Sequence, residues 1–219
     1  MKIVKFMTYE HRIKQALQWW SYRQFVKLFL EAEKIRDGLL QESFTIRRSL
    51  DALEIGDLNL SINKISDYIK KIDNFHHSLV QLSDRLCPVY IQDSLPFSIQ
   101  CLLDPWLASN PHLYFHIDLP IYWRQEPIEY SVIILRTLEE LLSITIPKLS
   151  TQVSVYISLK LKKNTGKLKV KITDPDISTL IYYSNLPELK YLSDSFEFLL
   201  SGKCFYNSSN LKIVWCFCW

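Results

Sequence analysis

Between Gly56 and Pro88 the chain places one residue of a continuous stripe every three or four positions: Ile62, Ile65, Ile69, Ile72, His76, Leu79, Ser83 and Leu86. Alternating three- and four-residue steps keep one face of a helix toward a partner over successive heptads. The stripe predicts a helix over about 58–86, broken from what precedes it at Gly56, capped by Asp57 or Ser61, and ended by Pro88. Upstream, Leu28, Ala32, Ile35, Leu39, Ile46 and Leu53 form a second seam, interrupted by Glu42 and Ser49. From Tyr9 to Leu53 there is no proline, and Gly38 is the only glycine, so this stretch also reads as helix. Two long helices joined by a short turn make an antiparallel hairpin. One hairpin cannot bury two apolar faces, whereas two copies bury them as a four-helix bundle. The expectation is a homodimer.

After Pro88 the period changes. "LPFSIQCLLDPWL" reads as a short helix closed by Asn110-Pro111, and "HLYFHIDLP" alternates as a strand. "QEPIEYSVIILRTLEELLSITIPKL" is a strongly apolar helix ending near Pro147. "QVSVYISLKLKK", a turn at "NTG" and "KLKVKITD" make a β-hairpin. "PELKYLSDSFEFLLSG" is a helix ended by Gly202, and "NLKIVWCFCW" is a last strand. Strand, helix, two strands, helix and strand predict an α+β sandwich, with helices covering one face of a mixed sheet. The domain division read from this pattern is a helical-hairpin dimerisation domain over 1–88 and a sheet domain over 89–219.

With 219 residues, 48% of them hydrophobic and 22% charged, the composition is that of an ordinary globular chain, and a net charge of +3 is too small to argue for nucleic acid. No run of about 18 apolar residues is present, so no membrane span is expected. The charged N-terminal stretch does not read as a signal peptide, and a cytoplasmic protein is expected. Cys87, Cys101, Cys204, Cys216 and Cys218 lack a CxxC pair, which argues against zinc and for structural thiols. Cys216 and Cys218 alternate in a strand and should share a side. Only four glycines occur, few for a chain that must bring backbone close to phosphate.

From about Lys27 onward the chain resembles a bacterial sensor histidine kinase, of the class with a short dimerisation domain that pairs with NarL/FixJ-type response regulators. "EAEKIRDGLLQ" is similar to the phosphoacceptor box and "LVQLSDRLCPVYIQDSLPFSIQCLL" to the junction that follows it. "ILRTLEELLSITIPKLSTQVSVYISL" resembles the helix with the N box and its following strand, and "GKLKVKITDPD" the hairpin ending in the first glycine box. The resemblance implies a dimerisation hairpin followed by a Bergerat-type ATP-binding sandwich. It places Arg36 at the phosphoacceptor position, and a guanidinium that stays protonated offers no lone pair to a phosphoryl group. Asp37, beside it, is kept. In the N box Glu140 is kept, Ile144 stands where an Asn would hold Mg²⁺, and Lys148 replaces a His. In the first glycine box Asp174 is kept, able to bind an adenine amino group, while Asp176 and Ser178 replace glycines. A carboxylate near phosphates repels them. Of the second glycine box only Gly202 is present.

The expectation is thus a pseudo-histidine kinase, not an enzyme, with no cofactor and no metal. It would bind a response regulator or a histidine kinase through Arg36, Asp37, Gln41, Arg47 and Arg48, the face on which the resembling family docks its regulator. An alternative is a phosphotransfer protein or phosphatase using His77, since His76 falls in the seam and its neighbour outside it. A third is a small-molecule sensor using the altered pocket of Glu140, Ile144, Asp174 and Asp176. Nucleic acid is not expected, because the basic residues of the first helix read as a solvated face. His112 and His116, four apart about one strand, should share a side and can hold a metal, with a structural role the plainer reading. Trp19 and Trp20 pack an N-terminal helix on the bundle or form an exposed docking site.

Overall fold

In the computed structural model the described residues are 2–51, 61–86, 93–146, 153–174, 176, 178, 181–182, 186–209 and 211–219. The expected cap at Asp57, the breaks at Gly56 and Pro88, and Lys148 lie outside them. The chain is α+β. The described elements begin with helix α1 (Lys2–Lys34), a π-helical segment (Ile35–Leu39), α2 (Leu40–Asp51) and α3 (Ser61–Leu86). There follow α4 (Leu95–Ser109), strand β1 (Tyr114–Asp118), α5 (Ile128–Thr145), β2 (Ser154–Lys162), β3 (Thr165–Thr173), α6 (Pro187–Leu200), β4 (Lys203–Ser209) and β5 (Lys212–Cys218).

Two compact units result: Met1–Ser21 with Tyr90–Trp219, and Tyr22–Val89. The first 21 residues thus group with the sheet unit, where the pattern had assigned them to the hairpin. Side-chain size and one hydroxyl explain this. Ala16 is fully buried, and its carbonyl accepts the Ser195 hydroxyl of α6 at 3.0 Å. Arg12 pairs with Asp194 at 3.0 Å, and the Trp19 ring lies 6.3 Å from Tyr191. Trp19 and Trp20 pack half-buried against the sheet unit's core, so they neither pack the bundle nor stand exposed.

In the sheet unit the strand order is β1-β2-β3-β5-β4, with β1 and β2 parallel and every other pair antiparallel. Alternation does the sorting: Val155, Ile157 and Leu159, Leu168, Val170 and Ile172, and Ile213, Trp215 and Phe217 all point to one buried face. There they meet Ile99 and Leu103 of α4, Ile134, Leu138, Leu141 and Leu142 of α5, and Leu192 and Phe196 of α6. Helix α4 starts where Ser94 accepts the Phe97 N–H and stops where the Asn110 side chain and backbone N–H both reach the Trp106 carbonyl. The β2–β3 turn is Lys163–Asn164, both at positive φ (47° and 67°), with Lys162 opposite Thr165. The expected "NTG" turn is therefore shifted one residue back, and Gly166 lies in β3, where a Cβ would stand 2.5 Å from the Trp219 ring. Strand β4 was not legible in the pattern; it is an edge strand whose residues are largely exposed, so no alternation marks it.

In the helical unit α3 lies against the π segment and α2, as a hairpin does. Within this chain Tyr68, Phe75 and Ser78 are half-buried and Leu82 is buried, while Ile65, Ile69, Ile72, Leu79 and Leu86 remain exposed. The heptad stripe is therefore the face that the hairpin leaves open. On the first helix Ile46 is buried and Ile35, Leu39, Glu42 and Ser49 are half-buried, but Leu28 and Ala32 are exposed. A π turn inserts an extra residue, so a seam carried across Ile35–Leu39 goes out of phase.

Candidate functional site

The π segment holds the residues that the sequence singled out. Its hydrogen bond runs from the Leu40 N–H to the Ile35 carbonyl, and Arg36, Asp37 and Gly38 occupy the widened turn. Arg36 and Asp37 are exposed, and adjacent residues of a regular helix would point apart. Here the Arg36 Nε donates to Asp37 Oδ1 at 2.9 Å, and Arg36 Nη2 lies 3.5 Å from Glu33 Oε1. The hydrogen bond with Asp37 holds the guanidinium pKa above its ordinary value, and the same bond lowers that of Asp37. The pair is an exposed, charged spot in which the guanidinium has no lone pair to give.

Gln41, Arg47 and Arg48 are exposed along the next two turns, so all five expected docking residues reach solvent. Between them stand two apolar side chains that the pattern had passed over, Leu40 and Phe44, 59% and 65% exposed. Off-seam apolar residues among charges were the available signal. His76 and His77 are both exposed on α3, with His77 Nε2 2.8 Å from the Gln81 side-chain amide nitrogen.

The altered nucleotide residues belong to the sheet unit. Glu140 is fully buried on α5, and Ile144, one turn on, packs half-buried against the core. Asp174, at the end of β3, is fully buried, and its N–H donates to the Leu211 carbonyl at 3.0 Å. Its Oδ1 accepts the Asp176 N–H at 2.8 Å, while Oδ2 has no hydrogen-bond partner among the described residues. Asp176 is exposed and turned to its own loop, where Oδ1 accepts the Ser178 N–H at 3.0 Å and the Ser178 hydroxyl. A cleft of about 260 Å³ opens elsewhere, between Ser94, Arg124, Gln125 and Ser131, and includes none of Glu140, Ile144, Asp174 and Asp176.

Strand β1 begins at Tyr114, so His112 precedes it and strand alternation does not align it with His116. The His116 ring instead stacks on Tyr156 at 5.2 Å. Among the described residues no three His, Cys, Asp or Glu side chains group as for a metal. Cys216 and Cys218 do share a face by register. Burial pushes the Cys204 thiol up to about 12, and its Sγ lies 3.3 Å from the Ser193 hydroxyl. No described helix is long and apolar enough to cross a membrane.

No family model and no curated protein matches this chain. Solved structures do. The Acinetobacter baumannii histidine kinase AdeS is 14% identical, with a TM-score of 0.44 over 82% of this chain and 95% of that one. A histidine kinase domain from the blue-light-activated kinase of Erythrobacter litoralis is 8% identical, with a TM-score of 0.47 over 80% and 94%. The catalytic domain of the histidine kinase ThkA is 15% identical, with a TM-score of 0.45 over 57% and 88%. These are likenesses of fold. They correct one expectation: the chain was read as not an enzyme, whereas the structures it is similar to are histidine kinases, which are enzymes.

Proposed function

We propose that the chain is a homodimeric binding protein of two-component signalling, whose helical hairpin docks a response regulator or a histidine kinase. The observation that carries this reading is the face of the π segment and α2. Arg36, Asp37, Gln41, Arg47 and Arg48 are exposed on the same stretch as the exposed Leu40 and Phe44, so apolar side chains stand among charged and polar ones as at a docking surface. A receiver domain offers aspartates to such a surface, and Arg36 is the group that would pair with them. The exposed stripe of α3 supplies the dimer contact.

The test is titration of the purified protein with candidate receiver domains and kinases. Arg36→Glu should weaken binding by about ten- to a hundredfold, the range of a hydrogen bond to a charged group. Undiminished binding by that variant overturns the role of Arg36.

Exposure of the His77 imidazole favours a second reading, phosphotransfer from a phosphorylated receiver to this ring. The ring nitrogen would attack the phosphoryl group and the receiver's aspartate would leave as carboxylate. Label that passes to the wild-type protein and not to His77→Ala supports it; equal labelling of both removes it.

A further inference from the structure

The helices cover one face of the sheet, and the pairing register shows what the other face carries. Strand β3 places Lys167, Lys169 and Lys171 there, and β2 adds Lys160 and Lys162. Lys203 of β4 and Lys212 of β5 complete the set, since they share rows with Lys167 and Thr173. Along β2 and β3 successive lysines stand about 7 Å apart; across strands Lys160 and Lys167 face each other at about 5 Å, Lys203 lies two strands from Lys167, and Lys212 pairs with Thr173. Among the described strand residues one carboxylate shares the face: Asp118, taken up by Lys160 at 3.1 Å and by the Tyr156 hydroxyl at 2.9 Å. Among the described residues the other six lysines have no carboxylate within ion-pair distance. Lys160 lies directly opposite Lys167, an arrangement that destabilises a sheet. With 26 basic and 23 acidic residues in the chain, this face is strongly one-signed on a nearly balanced molecule.

We infer that this open sheet face docks on an anionic phospholipid bilayer. Charge complementarity requires a polyanion, and three features choose the bilayer among polyanions. The cations spread in two dimensions over four adjacent strands, which suits a plane of charge better than a thread. All are lysines, point charges without the planar fork that reads individual phosphates. The centre offers no free ring for a nucleic-acid base to stack on, because Tyr156 is covered by His116 and by the Lys171 ammonium 5.3 Å from its centroid. Exposed rings stand instead at the two edges, the amphipathic Tyr114 on β1 and the wholly apolar Phe205 on β4, where rings can enter a headgroup layer.

The experiment is co-sedimentation of the full chain with vesicles of phosphatidylcholine, with and without about 30 mol % phosphatidylserine. Binding is expected only to the anionic vesicles, and added NaCl should release the protein. Each lysine near the surface contributes about fivefold, so Lys167→Gln/Lys169→Gln/Lys171→Gln should weaken binding about a hundredfold. Its melting temperature should equal or exceed that of the wild type; should it fail to fold, Lys169→Gln alone should lose about fivefold. Lys14→Gln/Lys70→Gln/Lys190→Gln makes the same charge change on exposed helix positions and should bind as the wild type does. Equal binding to both vesicles, or equal loss in the two triple variants, overturns the proposal. So does indifference to vesicles with retention on a single-stranded oligonucleotide, which would give the face to nucleic acid.

Discussion

Gly38 sits in the π segment with nothing within 4 Å of where a Cβ would stand, and its φ is not positive. No close approach or left-handed backbone requires a glycine there, so its effect is the flexibility it gives the unfolded chain. Gly38→Ala should stabilise the helical unit by about 0.5–1 kcal/mol, read from urea unfolding. The outcome bears on the site, since Arg36 and Asp37 share that turn. Asp118 shows a different local effect. Hydrogen bonds from Lys160 first, and then from Tyr156, hold its pKa below the ordinary 3.8. A carboxylate held low stabilises the fold above its unfolded value, and the contribution disappears as pH falls through the folded one. Asp118→Asn should leave a melting curve flatter than that of the wild type as pH falls from about 5 to about 2. An acid limb of unchanged steepness would show that the exposed cluster contributes nothing.

At the scale of elements, α3 is the helix whose pattern and packing differ most informatively. Its heptad stripe is the clearest periodic signal in the chain, yet among its described side chains those covered within one hairpin are Tyr68, Phe75, Ser78 and Leu82. A helix against one neighbour covers one side only, so Ile65, Ile69, Ile72 and Leu79 are left for another. Ile69→Asp/Leu79→Asp should halve the mass measured by light scattering if a second copy covers that stripe. An unchanged mass would remove the four-helix bundle. The π segment and β4 were illegible for opposite reasons. A π turn has no side-chain signature of its own and shows only as a phase slip between Ala32 and Ile46. An edge strand with little to bury lacks the alternation that marks β2, β3 and β5.

For the whole molecule, the division into units depends on contacts distant in sequence. The first 21 residues join the sheet unit through Ala16, Arg12 and Trp19. Ala16 leaves room for α6 because it has only a methyl group. Ala16→Leu should overpack that contact and cost about 1–3 kcal/mol, seen as earlier unfolding of the sheet unit by its tryptophan fluorescence. No change in that transition would mean that the N-terminal helix is dispensable to the unit.

Sequence alone determined the features set by short-range periodicity. These are the helix of α3, the β2–β3 hairpin, the alternating last strand and the α+β class, because each follows from which residues one element must bury. It also determined that position 36 is a guanidinium, whose chemistry is independent of its setting. Tertiary structure decided the rest. It bent Arg36 and Asp37 into one pair through a π turn, sent Trp19 and Trp20 to the sheet unit, and buried Asp174 with one oxygen lacking a partner among the described residues. It also gathered seven lysines from four strands onto one face, which no local window shows, because strand register is a property of pairing between segments remote in the chain.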